Sequence, residues 1–378
     1  MIAVNAAIIG DRPTGLGLYA LNLVRELDAL GERLVVYTSH PEIVQAPHAR
    51  VERVPAAVRP ERGARGHLAR LLWTQVGLRL RVAHLRPRLL LNLMPEGVLR
   101  STVPQVTVIH DVLPLREPEE YPRQQHYFRH YVPAVLRGSR AVIASSESTR
   151  RDLLDFYGIP ADKLHVVLLG HDAARFVPSA PASSDAEPYA LFVGNVMPHK
   201  NLLRVAEAFS QAVAGRPGHL VIRGWGRAVH VQALRDRIQA LGIGDRVDWQ
   251  PYAPDDDLVA LYQRARMLLL PSLYEGFGLT ALEAMACGTP VIVSNRASLP
   301  EVTGAAGVFV DPEDTRSIAA AIYRLFTDDT LAKTHADRGL ARSQLFSWPK
   351  TARAVQSILH SVMGIPNTAP ESRRCRTS

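Results

Sequence analysis

The chain has 378 residues, more than one hydrophobic core usually organises, so two domains of similar size are the first expectation. A 47% apolar content can fill both cores, and two cysteines, Cys287 and Cys375, exclude a disulfide framework and fit a reducing compartment. The net charge of +8, carried by arginine, points to an acidic partner; nucleic acid is disfavoured, because 6% aromatic content comes with no helix-turn-helix, RNP-like or zinc-finger pattern.

Short apolar runs alternate with helical periodicity along the first half. Ile2 to Ile9 reads as a strand, followed by Gly15-Leu16-Gly17 and a helix over Leu18 to Leu30. Further strands are expected at Arg33 to Tyr37, Leu89 to Leu93, Val106 to Ile109, Ala141 to Ala144 and Leu164 to Leu169, with a helix over Thr149 to Tyr157 stopped by Gly158-Ile159-Pro160. Such alternation predicts a parallel sheet covered by helices. Gly15 and Gly17 let backbone approach a ligand closely, but no third glycine follows and no acid closes the second strand, which argues against a dinucleotide fingerprint. His110 and Asp111 directly follow an apolar run, at the carboxyl end of a strand where α/β sheets bind ligands.

Between these elements lies a basic segment. Arg59, Arg62, Arg65, Arg70, Arg79, Arg81, Arg86 and Arg88 interleave with Leu68, Leu71, Leu72, Trp73 and Val76 at helical spacing. Such a helix either buries its leucine face in the core and solvates its arginines, or lies on an anionic membrane surface. No stretch reaches the ~18 apolar residues of a membrane span, and Met1-Ile2-Ala3-Val4-Asn5 lacks the basic start of a signal peptide. The expected location is cytoplasmic, peripheral at the inner face of the plasma membrane if the segment docks there.

Residues 1–177 form the expected first domain, and the Pro-, Ser- and Ala-rich residues 178–188 the linker. A second doubly wound domain over 189–347 is expected from strands at Ala190 to Gly194, Leu220 to Arg223, Val247 to Gln250, Met267 to Leu270 and Val291 to Val293. A helix over Trp348 to Val362, within residues 348–363, follows, and residues 364–378 read as a disordered tail. Lys200 precedes a helix that begins near Asn201, well placed to neutralise a leaving diphosphate. In Arg223-Gly224-Trp225-Gly226-Arg227, Trp225 either stacks on a base or covers the sheet edge. Asp255-Asp256-Asp257 is a helix start rather than a metal site, and Ser298-Leu299-Pro300-Glu301 is a capping box.

The most informative stretch runs from Pro271 to Pro290. An apolar strand leads into Glu275-Gly276-Phe277-Gly278, a helix over Leu279 to Cys287, and Gly288 and Pro290 as its stop. The N–H groups of Gly278, Leu279 and Thr280 suit a phosphate without any metal. Glu275 and Glu283 cannot serve that phosphate, so each must accept hydrogen bonds from hydroxyls.

These residues resemble the Glu-x7-Glu signature of the retaining glycosyltransferases of family 4, whose GT-B fold sets two Rossmann-like, doubly wound domains around a cleft. The resemblance implies that Glu275 contacts the transferred sugar, Glu283 holds the ribose, and the backbone of Phe277, Gly278 and Leu279 cradles the diphosphate, with Thr280 where proline is usual. Gly15 and Gly17 match the family's glycine loop facing the diphosphate, and the last helix is expected to cross back onto the first domain. His110-Asp111-Val112-Leu113-Pro114-Leu115 resembles a variant in bacterial members that build surface polysaccharides, mannosyl- and rhamnosyltransferase-like enzymes among them. By that match His110 orients or polarises the sugar, with Asp111 beside it in the donor site. The family pairs its lysine with an arginine after the glycine; here Gly194 is followed by Asn195, which leaves Arg223 or Arg227 as candidate replacement cations.

The expected activity is metal-independent transfer of a hexose, mannose or a deoxyhexose favoured, from a nucleoside-diphosphate sugar, GDP favoured, to a glycan or lipid-linked acceptor. No cofactor is implied. A nucleotide-sugar epimerase of the same fold would release no nucleoside diphosphate, and a non-catalytic glycan- or lipid-binding assembly subunit would turn over nothing.

Overall fold

The computed structural model describes residues 1–13, 15–179, 187–251 and 255–366, with backbone alone for 255–257. Most of the linker expected at 178–188 and of the tail expected at 364–378 lies outside the described residues, as do the side chains of Asp255, Asp256 and Asp257.

The first sheet comprises β1 (Ile2–Asn5), β2 (Leu34–Thr38), β3 (Arg50–Arg53), β4 (Leu89–Asn92), β5 (Gln105–Ile109), β6 (Ala141–Ala144) and β7 (Leu164–Val166), in the order β3-β2-β1-β4-β5-β6-β7. The second comprises β8 (Tyr189–Val193), β9 (His219–Arg223), β10 (Val247–Gln250), β11 (Met267–Leu270), β12 (Val291–Ser294) and β13 (Gly307–Val310), in the order β10-β9-β8-β11-β12-β13. All paired strands are parallel. Strands β1, β4, β11 and β12 are buried along their length, because helices cover both faces; hence their unbroken apolar runs. The sequence reading missed β3 and β13, each at one edge of its sheet. Arg50-Val51-Glu52-Arg53 is half solvated and charged, as an exposed edge tends to be.

Strand order reverses beside β1 in one sheet and beside β8 in the other, and loops at the carboxyl ends of the strands meet across the cleft. Ser145, after β6, donates its hydroxyl to the carbonyls of His110 (2.7 Å) and Gly276 (3.2 Å), the latter in the loop after β11. The Tyr274 hydroxyl donates to Asp152 of the first domain at 2.7 Å. The last helix, Trp348–Met363, crosses back to pack against Leu16–Ala29. There the Thr351 hydroxyl donates to the Leu168 carbonyl (2.8 Å), Gln356 to Glu32 (2.8 Å), and Arg88 to the Met363 carbonyl (2.8 Å).

The basic segment is one helical run, Gly63–Trp73, a π-helical turn Thr74–Leu78, and Arg79–Leu85. Its inner face is Arg70, Trp73, Thr74, Leu78 and Val82. The expected apolar face splits: Trp73 is buried and Leu71 half-buried, while Leu68, Leu72 and Val76, with Leu80, point outward, each 59–65% exposed, on four successive turns. Among the described residues no helix is long and apolar enough to cross a membrane.

Candidate active site

The loop after β11 turns on Gly278, whose φ of 102° opens the helix Leu279–Ala286 and whose absent side chain leaves room for Leu299, 2.6 Å from where a Cβ would stand. Glu275, upstream in the loop, is held from two sides. The Lys200 ammonium donates to both carboxylate oxygens at 2.7 and 2.9 Å, and Ser272 donates its hydroxyl at 2.7 Å. Lys200 reaches it because Asn201, left-handed at φ 65°, donates its amide to the carbonyls of Pro271 (3.0 Å) and Pro312 (2.6 Å), tying the β8 loop to the β11 loop. Glu283 lies buried in the helix and accepts from the Tyr262 hydroxyl at 3.0 Å. Phe277 turns its ring into the core against Phe346, leaving its backbone, with half-buried Leu279 and Thr280, at the helix start.

His110 and Asp111 form the facing wall. One imidazole nitrogen of His110 bonds the Leu93 carbonyl, and the ring stands edge-on to Tyr19 with centroids 4.5 Å apart. Burial pushes its pKa down to about 4, so the ring is neutral at pH 7. Nε2 has no partner among the described residues and is an acceptor for a hydroxyl. A neutral ring can offer a hydrogen bond but no charge. The Asp111 carboxylate accepts from the Leu113 N–H at 2.9 Å. Burial raises its pKa, and it feels both Glu275 and Lys200, which places it within electrostatic reach of that pair. Gly15, φ 40° and exposed, precedes the helix Leu16–Ala29, and Gly17 is buried where a Cβ would stand 2.8 Å from Pro13.

On the remaining side, Gly194 (φ 151°) lies so close to Gly224 that a Cβ on the latter would stand 1.7 Å from the Gly194 carbonyl oxygen. Asn195 is exposed beside them. Trp225 is 56% exposed. Both arginines considered for the cation absent at Asn195 already have carboxylate partners. Arg223 is buried and pairs with Asp248 at 2.7 Å, turned along β10, while Arg227 pairs with Glu120 of the first domain. The capping-box expectation for Ser298 and Glu301 is also corrected. The Ser298 hydroxyl donates to the carbonyls of Glu275 (2.9 Å) and Phe277 (2.8 Å), stabilising the turn instead of its own helix. Glu301 accepts the Glu147 N–H with both oxygens at 2.9 Å, placing its carboxylate at the start of the helix Glu147–Tyr157 of the other domain.

Sequence reasoning missed Tyr19, His199 and Gly276. His199 is buried next to Lys200, and burial and that cation lower its pKa to about 4. A Cβ on Gly276 would stand 2.4 Å from the His110 carbonyl oxygen, so this glycine lets the two walls meet. None of these contacts leaves a signal in local periodicity.

Comparison with known proteins accounts for this arrangement. The family described as "Glycosyl transferases group 1" matches residues 176–340, and the "Glycosyltransferase Family 4" domain matches residues 13–175. Among solved structures, sucrose-phosphate synthase from Thermosynechococcus elongatus superposes with a TM-score of 0.78 at 22% identity, covering 96% of this chain and 99% of that one. The Anabaena HepE protein in complex with UDP and glucose gives 0.75 at 19%, covering 95% and 99%. These likenesses define the class: a GT-B fold. The chain belongs to the group 1 and family 4 glycosyltransferases. Among curated relatives, it is 33% identical over 261 residues to O-antigen chain mannosyltransferase B of Escherichia coli, 64% of this chain and 66% of that protein. It is 27% identical over 261 residues to the serotype-specific mannosyltransferase WbdA of Escherichia coli, 65% of this chain and 32% of that protein. The matched region thus spans just under two thirds of the first relative and about a third of the second.

Proposed function

We propose that this chain transfers a hexose, mannose favoured, from a nucleoside-diphosphate sugar, GDP favoured, to a glycan or lipid-linked acceptor of a surface polysaccharide or lipopolysaccharide, with retention at the anomeric carbon. The observation that carries the reading is the Lys200–Glu275 pair, set beside the Gly278 helix start and facing His110 across the cleft. Lys200, the Gly15 and Gly17 loop, the Gly194 turn and the N–H groups of Gly278, Leu279 and Thr280 hold the diphosphate. Glu275 and His110 Nε2 accept from sugar hydroxyls, Glu283 from the ribose, and exposed Trp225 offers a face to the base. The bond from the anomeric carbon to the phosphate oxygen breaks, the acceptor oxygen bonds that carbon on the same face, and the acceptor proton passes to the departing phosphate oxygen. No metal is needed in this scheme, since backbone dipoles and Lys200 supply the positive charge.

The mannose preference rests on the names of the curated relatives, the donor base on the His110-Asp111 motif. We extend the proposal to a cytoplasmic enzyme docked at the inner membrane face: Leu68, Leu72, Val76 and Leu80 form an apolar stripe on the arginine-rich segment between Arg59 and Arg88, a pairing suited to anionic lipid.

The test is GDP release from GDP-mannose by Lys200→Ala and Glu275→Ala, alongside calorimetric binding of GDP. Turnover should fall by about 10²–10³ in both, with unchanged melting, and GDP affinity should weaken in Lys200→Ala alone. Near-normal turnover by both folded variants sinks the assignment.

A further inference from the structure

Outside the donor cleft, the first domain buries a group of charges that the chemistry above does not use. Glu96 is 2% exposed and Arg70 5%. The Arg70 Nε–H is shared between both Glu96 oxygens, at 2.9 and 3.2 Å, and Nη1 donates to the Val58 carbonyl at 3.2 Å. His67 adds a third partner: its Nδ1 lies 3.0 Å from Glu96 Oε1, and its ring stands edge-on to Tyr127 with centroids 4.8 Å apart. The Glu96 carbonyl accepts the Asn5 amide at 2.9 Å, fixing the loop to the end of β1. Burial opposes ionisation of Glu96, yet the His67 hydrogen bond and the Arg70 charge outweigh it and hold the carboxyl below its ordinary range.

The topology puts this group beside the reaction centre. In a parallel sheet a crossover helix starts at the carboxyl edge, so the first turns of Gly63–Trp73, on the way from β3 to β4, sit where ligands bind. Glu96 hangs from the loop after β4, three residues beyond Leu93, the residue whose carbonyl holds His110. His67 and His110 are thus steadied by the same loop. Arg70 and Glu96 already neutralise each other, and a buried pair of that kind does not require a histidine. The His67 side chain is nevertheless 31% exposed, with Nδ1 turned in to Glu96. A carboxylate on Nδ1–H fixes the tautomer and presents Nε2 as a hydrogen-bond acceptor. A hydroxyl, which both donates and accepts, can pair with that nitrogen.

We infer that His67, oriented by Glu96, binds a hydroxyl of the acceptor's terminal sugar, while Glu96 acts as a positioning residue. The inference rests on the glycosyltransfer reading above, with the donor on the Lys200–Glu275 side and the acceptor on the first domain.

The experiment measures three quantities in wild type, His67→Ala and His67→Gln. They are GDP release from GDP-mannose without acceptor, GDP release as a function of methyl α-mannoside, and saturation-transfer NMR of methyl α-mannoside on the GDP-bound enzyme. His67→Ala should lower kcat/KM for methyl α-mannoside by about tenfold, the size of one unmade hydrogen bond, and weaken the NMR signal. Acceptor-free GDP release and melting temperature should stay at wild-type values, and His67→Gln should recover part of the loss. Equal NMR signals and equal acceptor kcat/KM in wild type and His67→Ala overturn the inference, as does a wild type that shows no methyl α-mannoside signal. A parallel loss of acceptor-free release also overturns it, since His67 would then serve the fold. Failure of the donor reading looks different: Lys200→Ala and Glu275→Ala would release GDP as wild type does.

Discussion

Replacing Gly276 by alanine tests whether the two walls must touch for turnover. Gly276 does not use a positive φ, so alanine is compatible with its backbone and the effect is steric alone. The new Cβ would lie 2.4 Å from the His110 carbonyl oxygen and 2.9 Å from Asp111 Cβ, where ordinary contact begins at 3.4 Å. The gap must widen by about 1 Å, and no rotamer relieves it, because the atoms struck are backbone and Cβ. The His110 carbonyl cannot swing aside, being held by the hydroxyls of Ser145 (2.7 Å) and Thr149 (3.0 Å). Each domain has its own sheet, so the strain is relieved by parting the domains rather than by unfolding either. Overpacking of this kind costs about 1–3 kcal/mol, and a misplacement of about 1 Å between reacting groups costs on the order of 10²-fold. We expect kcat/KM for GDP release from GDP-mannose to fall about 10- to 100-fold, the melting temperature to fall by less than about 4 °C, and small-angle scattering to report a more open shape. Turnover within threefold of wild type, with unchanged scattering, would refute closure through this contact.

Asn195→Arg supplies the missing cation beside Gly194; calorimetry should find GDP bound about 3- to 10-fold tighter, with the gain shrinking in 0.5 M salt, and unchanged affinity would place Asn195 away from the diphosphate. Changing Leu68, Leu72, Val76 and Leu80 together to serine should leave melting unaltered, since all four are exposed, yet abolish co-sedimentation with phosphatidylglycerol vesicles; retained binding would remove the stripe from the docking proposal. His110 and His199, each held near pKa 4 against an ordinary 6.5, make stability depend on acid: the unfolded chain takes up their protons first, so stability is full above pH 6.5 and declines as pH falls from 6.5 to 4. Urea midpoints measured from pH 4.5 to 8 should show that slope, His199→Gln should flatten it, and a midpoint that rises on acidification would contradict both assignments.

Much of the fold was legible because central parallel strands are buried on both faces and write themselves as apolar runs, as Leu89–Asn92 and Met267–Leu270 do. The edge strand Arg50–Arg53 was not, since solvent removes the constraint that makes the pattern. Periodicity placed Leu68, Leu72 and Val76 on one face but cannot say which face turns inward; Trp73, Thr74, Leu78 and Val82 took the core. Within the site, the Glu275-to-Glu283 unit is local and was readable. The Lys200–Glu275 pair joins residues 75 apart in sequence, and Glu301 caps a helix 154 residues away, so neither could be read from spacing. An arginine at a strand end looks the same whether it faces the cleft or a neighbour, and Arg223 turned to Asp248 on β10.

The pairing of Lys200 with Glu275 changes what the absent cation at Asn195 means. With its ammonium held by two carboxylate oxygens at 2.7 and 2.9 Å, Lys200 is already neutralised by its neighbour. In the proposed reaction an arriving diphosphate would share or take that ammonium and so free Glu275 to accept from hydroxyls. On that proposal one exchange would give the leaving group its cation and the sugar its acceptor, making Glu275 available only when a donor is bound. A second cation at Asn195 would capture the diphosphate without that exchange and weaken the coupling. In the same proposal the remaining charge would fall to the backbone N–H groups at Gly278, Leu279 and Thr280, which are fixed in place and need no reorganisation when the bond breaks. Gly276, next to Glu275, meets the carbonyl of His110, so the contact between the domains and the Lys200–Glu275 pair involve adjacent residues of the same loop.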